Sequence, residues 1–203
     1  MAKKRVRKDV TELKLLWKPG RVPSVAECEA LLKEYLMSGP VLRHSRAVAI
    51  VCHMLSTELN RAGLEIDTDL VVAAALLHDI ARAKSDHAVE AGRVLRKHGY
   101  MEVADIVESH MDITLAPGES IGPPEVLYLA DKLVDEDRLV NLSDRFSQTV
   151  GRYPDKPEVI RKIEMRYINA FVIQDRVEAR TGPVSALLRR GGIKVGDVLH
   201  NHV

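Results

Sequence analysis

The sequence predicts an all-α protein. Nearly every patterned segment repeats its apolar residues at the spacing of a helical face, and no segment shows the alternation of a half-buried strand. Glycine and proline interrupt these segments at intervals that suit helices of ordinary length. With 203 residues, of which 46 % are apolar and 29 % charged, the chain is long enough to bury a sizeable core.

The helical segments follow one another with recognisable breaks. The sequence SGP at 38–40 separates the first two, and Gly63 and Gly99 suit the C-termini of the second and fourth. Pro123–Pro124 open the sixth, because proline is tolerated in the first turn of a helix. We predict a loop over 113–123 and no clear pattern after 182. The predicted helices are 25–37, 41–62, 67–83, 86–97, 101–111, 123–140 and 155–180.

We divide the chain into three parts. Residues 1–23 form a basic N-terminal arm, which is more often a solvated tail than a binding element. Residues 24–150 form the main helical domain. Residues 151–203 form a C-terminal helical extension and tail that pack on the domain or on a partner chain, and a homodimer is one arrangement that would use them.

Composition excludes several classes of protein. The formal net charge of +1 gives no reason to expect a nucleic acid or an anionic membrane as partner. Cys28 and Cys52 are the only cysteines and form no CxxC spacing, which argues against a disulfide framework or a thiolate zinc site. The longest apolar run, at 70–77, is too short to span a bilayer. We therefore expect a cytoplasmic protein without a membrane partner.

Six side chains of metal-ligand type fall on the apolar faces of five predicted helices. Singly, an inward histidine is ordinarily a hydrogen-bonded core residue, and an inward aspartate is a cap or an ion-pair partner. Together they include two carboxylates that would be costly to bury unpaired, and one bound cation, or two, would satisfy the whole set. The six are His44, His78, Asp79, His87, His110 and Asp131.

The ligand types also indicate which metals are suitable. Imidazole and carboxylate without thiolate suit Fe, Mn, Co, Ni or Zn better than Ca or Mg. The other histidines carry no such signal, because they lie off the apolar faces, at a helix end or in the tail; they are His53, His98, His200 and His202.

The order of His44, the adjacent pair His78-Asp79, and Asp131 resembles the HD-domain superfamily of metal-dependent phosphohydrolases. That family is all-helical and takes its name from the His-Asp pair. The resemblance covers about 41–140, and its most specific pieces are LLHDIAR and LYLADKLVDEDR. It implies an HD-domain helical bundle, here with additional C-terminal helices.

The histidines beyond this core pattern match the six-ligand branch of the family, which holds two metals. The layout is similar to small bacterial hydrolases of symmetrical diadenosine tetraphosphate. The resemblance implies that Asp79 bridges the metals and, with His78, forms the catalytic centre, where a metal-activated hydroxide attacks a phosphate ester or anhydride of a nucleotide. In this scheme His44, His78 and Asp131 bind one metal, and His87 and His110 bind the other.

Three cations near these ligands are predicted to bind substrate phosphates. Arg82 stands where relatives often carry lysine, and its alternative role is a surface charge at a helix end. Lys132 and Arg138 match the family pattern ADK…DR, and either could instead form an ion pair with Asp135 or Asp137. The partner is then a small phosphorylated substrate.

Two alternatives stay open at this point. In a one-metal nucleotidase of the same family, His87 and His110 would bind substrate or support the structure. In a nucleotide-sensing module the fold would have lost turnover, although all six ligand positions are filled. The segment MDITLAPGESIGP after His110 differs from what dinucleotide hydrolases lead us to expect, so the chemistry transfers better than the substrate does.

Overall fold

A computed structural model of the protein describes residues 20–115, 118 and 120–190. Positions 1–19 of the predicted arm and 191–203 of the predicted tail, including His200 and His202, lie outside the described residues. Within the described part the chain forms nine helices and one hairpin of two-residue strands, which confirms the all-α prediction. The helices are α1 Val25–Glu34, α2 Gly39–Arg61, α3 Thr68–Leu77, α4 His87–Lys97, α5 Met101–Ser109, α6 Pro123–Lys132, α7 Leu142–Gly151, α8 Pro157–Thr181 and α9 Val184–Arg190.

Helix α3 lies at the centre of the bundle. Every residue from 70 to 77 except Val72 is buried, as expected for a helix that is apolar on all sides. Its start is fixed by Asp67, whose side chain accepts a hydrogen bond from Leu70 N at 2.9 Å. Helices α1, α2, α5 and α6 surround α3. This packing brings the C-terminal end of α3, where the His-Asp pair follows, into the interior.

The C-terminal helices pack on the bundle. Helix α8 contacts α6 and α7, and α9 packs against α8 and α2. Tyr128 on α6 ties these layers together, because its hydroxyl donates to the carbonyl of Arg166 on α8 at 2.9 Å. Among the described helices, none combines the length and the apolar character that crossing a bilayer demands.

Two predicted helices end well before the expected residue, whereas the boundaries of the others agree with the prediction to within three residues. The one predicted over 67–83 stops at Leu77, and residues 78–85 form consecutive turns. The one predicted over 123–140 stops at Lys132 and is followed by the antiparallel strands β1 (Val134–Asp135) and β2 (Arg138–Leu139). Glu136, in the turn between them, has φ +53°, a backbone conformation that breaks a helix.

Two helices were not predicted. Helix α7 follows the hairpin, with Asn141 as its N-cap accepting a hydrogen bond from Asp144 N at 2.8 Å. Only Leu142 of α7 is fully buried, so its apolar pattern is weak. Helix α9 lies in the segment for which no pattern was found, and there Val184, Leu187 and Leu188 are buried against the bundle.

Candidate metal centre

The structure brings all six predicted ligands to one place. Asp131 and His44 lie on α6 and α2, His87 is the first residue of α4, and His78 and His110 cap the C-termini of α3 and α5. Helix α3 ends at Leu77, and turns that include His78 and Asp79 follow it. In the turn that follows, His78 and Asp79 both face the other ligands.

Asp79 belongs to two groups of ligands at once. Ligand atoms of His44, His78 and Asp79 lie within 4.8 Å of one another, and so do those of Asp79, His87 and His110. Its Oδ2 is 3.6 Å from His78 Nε2, whereas its Oδ1 is 3.5 Å from His87 Nε2 and 3.9 Å from His110 Nε2. The two carboxylate oxygens therefore face opposite sets of imidazoles.

Asp131 completes the first group. Its Oδ1 lies 3.1 Å from His44 Nε2 and 3.7 Å from His78 Nε2. Each group thus consists of two imidazoles, the shared Asp79 and, on the first side, a second carboxylate. This donor set is the one that first-row transition metals accept in proteins.

Backbone carbonyls fix the orientation of three of the imidazoles. The Nδ1 atoms of His78, His110 and His44 lie 2.7, 2.6 and 2.8 Å from the carbonyl oxygens of Ala75, Val107 and Glu136. A carbonyl can only accept, so each Nδ1 carries a proton, and in the neutral form of each ring the lone pair lies on Nε2. Metal-bound histidines are ordinarily held in this way.

Two of these lone pairs have no partner. Nε2 of His78 and Nε2 of His110 are buried and make no hydrogen bond within the described chain. A buried polar atom without a partner is costly, and here both point toward the Asp79 carboxylate. A divalent cation in each group would satisfy them, so the residues present fit the metals that the ligand pattern predicts.

The protonation states of two histidines also suit ligation. Burial, reinforced by the neighbouring His78, lowers the pKa of His110 to about 3. Burial likewise lowers the pKa of His87, although the Asp79 carboxylate opposes the effect. Both imidazoles are therefore neutral at physiological pH, as metal binding requires.

The two carboxylates stay ionised in spite of their burial. Burial alone would raise the pKa of Asp131, but Lys132 and His44 hold it well below the usual range. Burial acts in the same direction on Asp79, and its neighbours, chiefly His78 and Arg82, outweigh it and lower the pKa. The site therefore carries two negative charges before any cation binds.

His44 behaves differently from the other ligands. Burial would lower its pKa, but the hydrogen bond with Asp131 outweighs burial and raises it. The imidazole and the carboxylate thus face each other as an ion pair, with His44 Nε2 3.1 Å from Asp131 Oδ1. A proton on Nε2 and a metal compete for the same lone pair.

Lys132, predicted to bind substrate, is turned toward the ligands. Its side chain is buried, and its Nζ donates to the His110 carbonyl at 2.6 Å and to Asp131 Oδ2 at 3.0 Å. The same Nζ lies 3.9 Å from the centre of the Tyr128 ring. Its ion-pair partner is Asp131 rather than Asp135 or Asp137. With these contacts Lys132 orients a ligand carboxylate.

The other two predicted cations differ in position. Arg82 Nη1 lies 3.3 Å from Asp79 Oδ1 and 3.5 Å from His87 Nε2, and its half-exposed side chain stands at the mouth of the site. Arg138 is exposed on β2 and is not among the residues that line the site. Of its two predicted acidic partners, Asp137 pairs instead with Arg43 at 3.0 Å.

A cleft of about 610 Å³ opens over His44, Asp79 and Asp131. Helices α7 and α8 and their connection form its opposite wall, which carries three arginines that sequence reasoning missed. Arg145 donates to the backbone carbonyls of Asp131 and Val134, so it supports the end of α6 that carries Asp131. The other two arginines of this wall are Arg152 and Arg166.

Arg166 and Arg152 differ in how they are held. Arg166 makes a two-pronged ion pair with Asp112, with both N–O distances 2.8 Å. Within the described part of the chain, no carboxylate pairs with Arg152, and its side chain is exposed in the cleft. Spacing could have revealed this face, since Arg145, Thr149 and Arg152 recur at four and three residues, had α7 been predicted.

The histidines that were set aside lie elsewhere. His53 is exposed on α2, and His98 ends α4 with its ring 6.3 Å from that of Tyr35. Neither belongs to the two ligand groups.

Comparison with known proteins gives the family. The sequence matches the HD domain over residues 41–149, more than half of the chain. It is 32 % identical over 137 residues to an uncharacterized protein of Methanocaldococcus jannaschii, covering 64 % of this chain and 79 % of that protein. No solved structure matches the chain.

Two further relatives are longer proteins. Both are named tRNA (cytidine(56)-2'-O)-methyltransferase. The one from Picrophilus torridus is 30 % identical, over 66 % of this chain and 42 % of the enzyme. The one from Thermoplasma volcanium is 27 % identical, over 77 % of this chain and 50 % of the enzyme. The chain therefore spans half or less of the length of these two enzymes.

The family match and the site agree in position. The matched residues begin three positions before His44 and include all six candidate ligands. The chain belongs to the HD-domain family.

Proposed function

We propose that the protein is a phosphohydrolase that uses two metal ions to cleave a phosphate ester or anhydride of a nucleotide. Membership in the HD-domain family suggests metal-dependent phosphohydrolysis in general. The observation that supports two ions is the Asp79 carboxylate, which presents one oxygen to each of two imidazole groups.

The ligands would divide between the two ions as the two groups divide. His44, His78 and Asp131 would hold one ion, His87 and His110 the other, and Asp79 would bind both. Bound there, two divalent cations supply a water of lowered pKa and neutralise the charge of the phosphoryl oxygens. The neutral imidazoles of His87 and His110 and the ionised carboxylates of Asp79 and Asp131 already suit metal binding, whereas His44 would first have to release the proton that it shares with Asp131.

The remaining residues of the cleft position the substrate. Arg82 at the mouth and Arg152 on the opposite wall both offer guanidinium N–H groups, which suit the oxygens of a phosphate. Lys132 and Arg145 instead support Asp131: Lys132 contacts its carboxylate, and Arg145 contacts its backbone carbonyl. Six cationic and five anionic side chains line the cleft, so two bound cations would make it strongly positive and suited to a polyanion.

The names of two relatives widen the range of substrates worth testing. Both are methyltransferases that act on tRNA, and the chain covers half or less of each. Methyl transfer is therefore not carried over to this chain. Because the names of both relatives refer to tRNA, we add RNA with terminal phosphates to the nucleotides that are to be tested as substrates. The same test examines our expectation that nucleic acid is not a partner.

The proposal is tested by counting metals and screening substrates. Protein stripped by a chelator and reloaded with Mn, Fe, Co, Ni or Zn is expected to hold two ions per chain. The loaded protein is then offered dinucleoside polyphosphates, mononucleotides, cyclic nucleotides, guanosine tetraphosphate and RNA with terminal phosphates, with products separated by chromatography. Binding of nucleotides without release of phosphate or nucleoside phosphate would contradict hydrolysis. One ion per chain with full activity would favour a one-metal enzyme.

A further inference from the structure

A second cavity adjoins the metal cleft and has no role in the chemistry described above. Its volume is about 530 Å³, and it lies between the α1–α2 connection, the turns after Asp79 and one face of α4. Val41 and Arg82 line both this cavity and the metal cleft, so the two spaces adjoin at these two side chains, and Arg82 Nη1 lies 3.3 Å from Asp79 Oδ1. We call this second space the side cavity.

The walls of the side cavity are mainly apolar. Its polar groups are few, and among them are Ser38, which makes no capping hydrogen bond at the start of α2, and Lys84. An apolar chamber with a few polar groups suits a flat organic ring that carries polar atoms at its edge. The apolar lining comes from Tyr35, Leu36, Met37, Val41, Ile80 and Val94, with the small Ala81 and Ala83 between them.

Leu36 lines this cavity in an unfavourable conformation. Three helices end in the same motif, in which the third residue after the helix donates back to a carbonyl five positions earlier: Met37 to Leu32, Leu64 to Leu59 and Tyr100 to Leu95, at 3.0–3.1 Å. In α2 and α4 the left-handed position of this motif is Gly63 or Gly99. In α1 it is Leu36, with φ +51°.

Stability does not account for a leucine at this position. The left-handed conformation disfavours a side chain with a Cβ, and 89 % of Leu36 is exposed, so the residue gains little from packing. Glycine would serve the helix end better, as it does in α2 and α4. An unfavourable backbone conformation that persists in a folded chain points to a use for the side chain. The Leu36 side chain forms part of the apolar wall of the side cavity, and we assign its use to that wall.

We propose that the side cavity binds the nucleobase of the substrate while the metal cleft holds its phosphates. The proposal rests on the phosphohydrolase function above and specifies its substrates as nucleoside phosphates. Because the two spaces share Arg82 and Val41 in their walls, one molecule would place its ring in the side cavity and its phosphate beside Asp79. Leu36 and Tyr35 then cover the base at the open end.

Binding can be measured without turnover. The probes are adenosine 5′-(α,β-methylene)diphosphate and methylenediphosphonate, which share the phosphonate group and differ by the nucleoside. Calorimetry on the manganese-loaded protein is expected to show at least about 10-fold tighter binding of the nucleoside compound, the affinity that burying one side-chain-sized apolar group provides. Equal affinities for the two probes would overturn the proposal.

Leu36→Gly separates binding from folding. Relief of the left-handed leucine is expected to raise Tm by about 2–4 °C, while the loss of the apolar wall weakens binding of the nucleoside probe. Because the variant is more stable than the wild type, weaker binding cannot come from unfolding. A stabilised variant with undiminished affinity for the nucleoside probe would contradict the proposal.

Ala83→Trp fills the cavity from an exposed position, and Ala179→Trp on the outer face of α8 is its matched control. Ala83→Trp is expected to lower the affinity ratio of the two probes at least about 10-fold, and Ala179→Trp to leave it at the wild-type value. If neither variant changes the ratio, the side cavity does not bind the base, whatever the hydrolysis screen finds. If the ratio falls but no phosphate is released, the base site stands and the hydrolase proposal fails.

Discussion

Asp79 is the residue that the two groups of candidate ligands share. A carboxylate has two oxygens, and in this protein Oδ2 faces His78 whereas Oδ1 faces His87 and His110. Burial makes the charge expensive, yet the carboxyl stays ionised because His78 and Arg82 surround it. Removing it would leave each group with fewer donors and no shared ligand.

Asp79→Ala is therefore expected to reduce the metal content from about two ions per chain to one or fewer, and to abolish turnover. Elemental analysis after gel filtration measures the first effect and the substrate screen the second. His53→Ala is the control, since His53 is an exposed histidine outside both groups. Retention of two ions by the Asp79 variant would show that the carboxylate does not bridge.

At this scale the sequence predicted the ligands but not their support. That the six candidate ligands lie together could be expected because each is a polar residue at an apolar position, a signal that helical spacing makes visible. The role of Lys132 could not, because its partner carbonyl, that of His110, lies 22 positions away and only packing brings the two together. The same applies to the Glu136 carbonyl that orients His44.

Among the elements, α1 shows how a helix start is fixed by charge. Ser24 and Glu27 form a capping box: Glu27 N donates to Ser24 Oγ at 3.3 Å, and Ser24 N donates to Glu27 Oε2 at 2.8 Å. Hydrogen bonds from the Ser24 backbone and hydroxyl, together with Arg21, lower the pKa of Glu27 to about 2. The carboxylate of Glu27 is therefore more acidic in the folded chain than in the unfolded chain.

This difference predicts a pH-dependent contribution to stability. It is complete above pH 4.5, the ordinary pKa of Glu27, and is lost as the pH falls toward 2. The destabilisation caused by Glu27→Gln is thus expected to be constant between pH 6 and 5 and to shrink below pH 4.5, as measured by urea unfolding. Glu65→Gln, at an exposed loop position without a hydrogen bond in the described structure, is the control. A pH-independent effect of Glu27→Gln would rule out this account.

Elements with a strong apolar period were predicted and those without it were missed. The helices containing Val48, Val71 or Tyr167 bury a continuous stripe, so their approximate extents could be read from spacing. Helix α7 buries only Leu142, and the hairpin after α6 depends on the left-handed Glu136, which no local pattern announces. Turn conformation and weakly buried helices are determined by the surrounding structure.

In the whole molecule, the cleft is completed from outside the matched domain. The HD-domain match ends at 149, whereas Arg152 and Arg166 on the opposite wall follow it. The C-terminal helices therefore form part of the wall of the cleft, and the sequence could not show this, because which helix lies over a cleft is decided by long-range packing.

Arg152→Ala tests this wall. Loss of one guanidinium that contacts a phosphate is expected to raise KM about 10-fold, as for a charge-assisted hydrogen bond, while the metal content stays at the wild-type value. Arg161→Ala is the control, because Arg161 is an exposed cation of α8 that does not line the cleft. If the Arg152 and Arg161 variants have the same KM, the phosphate is bound by residues of the matched HD domain and not by Arg152.

The contact between His44 and Asp131 joins residues 87 positions apart. Closing so long a loop costs conformational entropy, and the contact can stabilise the chain only when α6 is packed beside α2. Until then the early part of the chain holds His44 and the His-Asp pair without Asp131. A chain that lacks α6 would therefore also lack the carboxylate that faces His44 and His78, even with α2 and α3 in place.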